Sequence, residues 1–197
     1  MPFRIRIATP HDAEELLAIY APFVTDTTVS FETEVPGIAE FRDRIEEHLR
    51  ETTHLVLEDL DKGCIAGFAY NSSFREREAY RWASETSIYL DGPYQARGLG
   101  GVLLAALEGL MRAQGIRMSE ACITSDNSAS IAFHEHHGYR ICGEHTTCGY
   151  KMGQWLSVTW MEKQLLPLDA VPEAPHPPAP EDVERIVREA NEQLAGL

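Results

Sequence analysis

The chain has 197 residues, 44% of them hydrophobic, and a formal net charge of −14. That length fits one domain with a full core, and no apolar run approaches the ~20 residues of a membrane span. The acid surplus argues against a nucleic-acid partner, which needs a basic face, and Met1-Pro2-Phe3-Arg4-Ile5-Arg6 lacks the apolar core of a signal peptide, so a cytoplasmic protein with no membrane partner is expected.

Phe3 to Ala8 alternates and predicts a first strand. Thr9 or Asp12 caps a helix to about Tyr20, with Leu16, Leu17, Ile19 and Tyr20 as its apolar positions. Residues 21–35 are polar, Thr-rich and aromatic, and read as a loop. Pro36 or Gly37 opens a second helix to about Arg50, with Ile38, Phe41, Ile45 and Leu49 near helical spacing. His54 to Glu58 and Cys64 to Tyr70 predict a hairpin around Asp61-Lys62-Gly63. Ser84 to Leu90 is a fourth strand, and an apolar-periodic helix runs from Val102 to Ala113. Glu120 to Thr124 reads as a buried strand. A short helix from Ser125 to His137 follows, capped by Ser125 or Asp126 and stopped by Gly138. Tyr139 to Cys148 and Trp155 to Gln164 are the last strands, with Tyr139 read as core. The order is βααβββαβαββ, a mixed α/β class.

From Leu166 the composition changes. Six prolines between Pro167 and Pro180 predict an extended linker. Residues 181–197 form an acidic amphipathic helix with Val183, Ile186, Val187, Ala190 and Leu194 on one side. The domain limits expected are 1–166, 167–180 and 181–197. The last helix docks on the domain, docks on a partner subunit, or trails as a loose tail.

Between the fourth strand and its helix lies Gln95-Ala96-Arg97-Gly98-Leu99-Gly100-Gly101. Glycine lets a backbone turn sharply and approach a ligand. The first amides of the following helix lack intrahelical partners and carry its positive dipole end, so the segment suits a pyrophosphate. A Walker loop needs a Gly-Lys-Ser/Thr ending, which is missing. A dinucleotide fingerprint belongs after the first strand, whereas this loop lies mid-chain. His134-Glu135-His136-His137 lacks the four-residue spacing of a zinc-binding His pair, so no metal is expected. Cys64, Cys122, Cys142 and Cys148 make no Cys-x-x-Cys pair, and reduced thiols are expected.

Gln95-x-x-Gly98-x-Gly100 resembles the acyl-CoA loop of the GCN5-related N-acetyltransferases (GNAT). More narrowly, the chain resembles the phosphinothricin and methionine sulfone/sulfoximine acetyltransferase group over roughly Arg4 to Leu165. The matching segments are Thr27-Thr28-Val29-Ser30-Phe31-Glu32, Arg75-Glu76-Arg77-Glu78-Ala79-Tyr80-Arg81-Trp82, Glu85-Thr86-Ser87-Ile88-Tyr89-Leu90, Ala121-Cys122-Ile123-Thr124, Asn127-x-x-Ser130, Phe133-His134-Glu135 and Gly149-Tyr150-Lys151-x-Gly153-x-Trp155. The resemblance implies a GNAT fold, a mostly antiparallel mixed sheet flanked by helices. It implies direct transfer from acetyl-CoA to the α-amine of a small amino acid, without metal, by a homodimer.

For the site, the resemblance implies Glu85 as base and His134, where many relatives carry tyrosine, as relay or acid at the sulfur. The alternatives are a solvated strand-end carboxylate and a structural histidine. The cofactor set is Ile88, Leu90, Gln95, Arg97, Gly98, Gly100, Gly101, Asn127 and Ser130. On the acceptor side, Arg75 and Arg77 match a substrate carboxylate and face the same way if their segment is extended. Tyr80 and Phe31 wall a pocket, Thr28 and Ser30 donate to sulfone or phosphinate oxygens, and Lys151 and Trp155 reach in from the last hairpin. The competing functions are acetylation of another small amine or a protein amine, and CoA binding without turnover.

Overall fold

A computed structural model describes residues 2–168 and 171–197; residues 169 and 170 of the expected linker lie outside the described residues. Among the described residues seven strands form one sheet in the order β1-β2-β3-β4-β5-β7-β6. They are β1 (Phe3–Ile7), β2 (Thr53–Asp59), β3 (Cys64–Ser73), β4 (Ala83–Leu90), β5 (Met118–Thr124), β6 (Arg140–Lys151) and β7 (Gln154–Gln164). Among the described residues neighbouring strands run antiparallel, with β4–β5 the parallel exception. A parallel pair needs a crossover, and helix α3 (Leu99–Ala113) supplies it. Strand alternation sends Val56 and Phe68 toward α1 (Ala13–Thr25) and α2 (Ile38–Glu51), where Leu16, Val24, Phe41 and Ile45 bury them. Leu55, Leu57, Ala66 and Ala69 point the other way, against Leu103, Leu107 and Leu110 of α3.

Several boundaries differ from expectation for identifiable reasons. α1 runs past Tyr20 to Thr25 although Pro22 lies inside it. An interior proline costs about 3 kcal/mol. Here the last turn seats Val24 at 1% exposure and sets Phe23 edge-on to Tyr89 at 5.2 Å, and that burial holds it helical. α4 (Ser128–His136) is capped by Asn127, not by Ser125 or Asp126: Asn127 Oδ1 accepts the Ser130 N–H at 3.1 Å. The Asp126 carboxylate instead accepts the Thr28 hydroxyl at 3.1 and 3.2 Å. Tyr139 precedes β6 and is core as expected, 4% exposed with its hydroxyl 2.7 Å from Ser119 Oγ.

The last helix, α5 (Pro180–Leu194), is docked on its own domain. Ile186, Ala190 and Leu194 are buried against α3. Gly109 is needed there, since a Cβ would stand 3.1 Å from Ile186 Cγ2. The Asn191 amide donates to the Ile5 carbonyl at 3.0 Å and accepts the Ile5 N–H at 2.7 Å. One side chain thus pairs with the outer edge of β1 as a further strand would. The approach to α5 is tethered too: Trp82 Nε1 donates to the Glu173 carbonyl at 2.7 Å and the His176 N–H to the Gln114 carbonyl at 3.1 Å. Among the described residues no helix is long and apolar enough to cross a membrane.

His48 of α2 and His54 of β2 meet with their Nδ1 atoms 3.4 Å apart, and His54 is 2% exposed. Burial pushes His48 down to about 4 and His54 to about 3. The unfolded chain takes these protons first, near the ordinary histidine value, so this stability is present above about pH 6.5 and is lost as pH falls toward the folded values. Urea denaturation midpoints are expected to drop between pH 6.5 and 5. His54→Phe should flatten the slope by up to about 1.4 kcal/mol per pH unit, one proton's worth. An unchanged slope in that variant would mean that His54 is not buried neutral.

Candidate active site

The β4–β5 ladder is short. It pairs Ala83, Ser84 and Glu85 with Met118, Ser119 and Glu120 and then stops, although β4 continues to Leu90 and β5 to Thr124. β4 stays paired with β3 through Leu90 and β5 with β7 through Thr124. The sheet therefore forks at Glu85, and the edge of β4 carrying Ile88 and Leu90 faces the gap without a strand partner. Such an edge accepts an extended, amide-bearing arm as an added strand.

The glycine loop closes the mouth of the fork. Gly98 is the N-cap of α3 with φ +79°, a left-handed conformation costly for a residue with a Cβ. Gly100 and Gly101 are not in the loop but in the first turn of the helix. A Cβ on Gly101 would lie 2.8 Å from the His137 ring, and one on Gly100 3.3 Å from Leu90 Cδ1. They bring α3 close to α4 and β4 and leave its first amides at the opening. The Gln95 amide donates to the Leu90 carbonyl at 2.9 Å and braces the loop. Arg97 lies over the rings of Phe3 (5.1 Å) and Tyr94 (5.9 Å) with its charge exposed. Asn127 is occupied as the α4 cap.

Glu85 stands at the apex of the fork on the face it shares with Ser87 and Tyr89. Burial raises its carboxyl above the usual range, against the opposing charge of Arg75. A carboxylate so raised is a better base. His134 lies on the other side of the sheet, 3% exposed and edge-on to Tyr139 at 5.0 Å. Its Nδ1 is 2.8 Å from the Ser130 carbonyl, so that nitrogen carries the proton. Nε2 is buried with no hydrogen-bond partner among the described residues. Burial also lowers the His134 pKa. The ring is neutral, with a free lone pair on Nε2: it accepts a proton or a hydrogen bond and has none to give from that atom.

The expected acceptor residues fall into two groups. Arg75, Arg77 and Tyr80 line a cavity of about 360 Å³ with Phe74 and Arg81. Their segment is bent rather than extended. Arg75 stacks on Phe74 at 4.2 Å and Trp160 at 5.0 Å, beside Glu85, while Arg81 is bonded to Glu78. Ser30, Phe31, Lys151 and Trp155 gather instead around the β6–β7 hairpin, and Thr28 lies against the turn after β5. The Ser30 hydroxyl is 2.7 Å from the Tyr20 hydroxyl, and Lys151 Nζ donates to the Ser30 carbonyl at 2.6 Å. Thr28 is spent on Asp126. Phe31 covers Gly149, where a Cβ would approach its ring to 2.3 Å, and Trp155 is 67% exposed. Sequence reasoning missed Trp160, whose register partner is Cys122. The crowd of surrounding atoms and the Glu85 charge push the Cys122 thiol up to about 12, so it is a poor nucleophile.

The family model of the GNAT acetyltransferase domain matches residues 5–160. The chain is 33% identical over 179 residues to a phosphinothricin N-acetyltransferase of Streptomyces viridochromogenes, covering 91% of this chain and 93% of that protein. It is 32% identical over 172 residues to an L-methionine sulfoximine/L-methionine sulfone acetyltransferase of Pseudomonas aeruginosa, covering 87% of this chain and all of the relative. Among solved structures it is similar to a GNAT superfamily phosphinothricin acetyltransferase from Sinorhizobium meliloti in complex with AcCoA. There the TM-score is 0.83 at 31% identity, over 88% of this chain and 94% of the other.

The His134 geometry is testable without turnover. Nitrogen-15 NMR should show the Nδ1–H tautomer and a titration midpoint below the ordinary histidine value near 6.5. A protonated Nε2 at pH 7.5 would overturn this assignment and leave His134 as a hydrogen-bond donor.

Proposed function

The chain belongs to the GNAT acetyltransferase family, and from that premise we propose that it moves the acetyl group of acetyl-CoA onto the α-amine of a small amino acid of the phosphinothricin, methionine sulfone or methionine sulfoximine type. The observation that carries this reading is the placement of Glu85 at the apex of a fork whose mouth is closed by the glycine-started α3, with the Arg75 charge acting on its carboxyl. The protein's fit to acetyl-CoA rests on the unpaired β4 edge for amides and the first turn of α3 for phosphates, entered through the left-handed Gly98.

An amino acid arrives as an ammonium carboxylate. Arg75 and Arg77 suit the carboxylate. Glu85 takes a proton from nitrogen, and the freed lone pair attacks the thioester carbonyl carbon. The N–C bond forms, the C–S bond breaks, and its electron pair goes to sulfur. Neutral His134 with its Nε2 lone pair suits a relay for the second proton on its way to the thiolate. The raised pKa of the Cys122 thiol favours this direct route over an acetyl-cysteine.

Self-association through the last hairpin completes the proposal. β6 is an edge strand of twelve residues, exposed along most of its length. At its end and across the turn, Tyr150, Met152 and Trp155 are 59%, 57% and 67% exposed. An edge of that length with exposed apolar side chains suits a second copy. The four cysteines are free, which accords with a cytoplasmic location.

CoA release should be measured with acetyl-CoA and a panel of amino acids. Methionine sulfone is expected to react and its methyl ester to be poor. Comparable kcat/KM for acid and ester would remove the carboxylate reading and favour another amine. Glu85→Gln should lower kcat by roughly 10²–10⁴ with acetyl-CoA binding kept. Gly98→Val should raise the acetyl-CoA KM in a folded protein; an unchanged KM would detach the loop from the cofactor. Sedimentation should find a dimer that Trp155→Glu weakens, and a monomeric wild type would remove self-association.

A further inference from the structure

Glu85, Glu120 and Glu162 stand abreast on three adjacent strands. Glu120 is the register partner of Glu85 across β4–β5 and of Glu162 across β5–β7. Register partners share a face, with strands about 4.8 Å apart. Glu162 is committed, because Arg140 of β6 bonds it. Glu120 is 8% exposed, and no donor among the described residues bonds its carboxyl. An unpaired buried carboxylate is costly, and this one adjoins Glu85 at the fork's apex.

Resting on the function proposed above, we propose that Glu120 is the positioning partner of Glu85: above neutrality both carboxyl groups are ionised, and the one proton they come to share is the proton Glu85 takes from the acceptor ammonium and hands to Glu120. The N–H bond breaks with its electron pair left on nitrogen. The proton goes to a Glu85 oxygen and then to Glu120, which releases it to solvent after the product leaves. Nothing is oxidised or reduced. The groups facing Glu120 are Glu85 of β4, Glu162 of β7, Cys142 and Arg140 of β6, and Arg75 of the β3–β4 connection. Burial first, then the Glu162 and Glu85 charges, push Glu120 up to about 7, so it can both hold and release a proton near neutrality.

Two measurements test this. In the wild-type protein, infrared spectroscopy should show a protonated carboxyl band at pH 6 that fades on titration through neutrality; its absence would overturn the shared proton. This readout needs no substrate, so it stands even if no amino acid is acetylated and the functional reading fails. In kinetics, Glu120→Gln should lower kcat about tenfold or more and move the acidic limb of the kcat/KM profile down by about one pH unit, because Glu85 loses its like-charged neighbour. The acetyl-CoA KM should hold, and Glu120→Asp should recover part of the rate. A folded Glu120→Gln enzyme with kcat within about twofold of wild type and an unmoved limb would make Glu120 a bystander.

Discussion

The early end of the β4–β5 ladder is the constraint on which the site depends. A parallel pair of this length would ordinarily continue for several more residues. Here Thr86 turns its hydroxyl onto the Glu120 carbonyl at 3.1 Å, taking the acceptor at the point of divergence. Two carboxyl groups directly opposite each other add repulsion at the same point. The gap persists because each half of the sheet is complete without it: β3 holds β4 to its end and β7 holds β5 to its end. Backbone groups of β4 facing the gap still need partners. A ligand presenting amides satisfies them as a strand would, so the opening in the sheet and the capacity to bind an extended arm have one cause.

Charge distribution explains how a chain of net charge −14 can receive an anionic donor. Some of the acid is paired away from the loop. Glu58 bridges Arg4 and Arg6, and Glu108, buried at 3% exposure, is held by Arg112 and Lys163. At the loop the positive potential comes from the α3 N-terminus and from Arg97. Arg97 sits over the Phe3 and Tyr94 rings, and among the described residues no hydrogen bond takes up its donors. The fork apex has the opposite character. There carboxyl groups are buried with little compensation, and their raised basicity follows from that.

The features legible in the sequence are those set by local geometry. Gly98 was readable because a left-handed turn into a helix admits few other residues. Core faces followed from periodicity, and Tyr139 from its place after a helix stop. What escaped was decided by partners distant in sequence. Asn127 and Asp126 are both good caps, and the choice went to Asn127 because Thr28 claims Asp126. The helix expected to stop near Tyr20 runs on to Thr25 through Pro22, held by the burial of Val24 and the contact of Phe23 with Tyr89. The bonds that Ser30 and Lys151 make to Tyr20 and to each other's segment join elements far apart in the chain, and no local pattern announces them. Glu120 looked like a strand opener, because its alignment with Glu85 is a register between strands that an entire helix separates.

The appended helix shows how one residue can serve two arrangements. The amphipathic face of α5 was visible, but its target depended on Gly109 and on an amide clasp between Asn191 and Ile5. That clasp covers the free edge of β1, a device that prevents unwanted strand pairing. Among the described residues the edge at β6 has no such cover, so the two ends of the sheet are treated oppositely. Beyond α5 the Leu197 side chain comes within 3.4 Å of where a Cβ on Gly98 would sit. The missing side chain at Gly98 therefore does two things at once. It allows the left-handed turn that presents the α3 amides, and it leaves room beside the loop for the largely exposed Leu197 side chain.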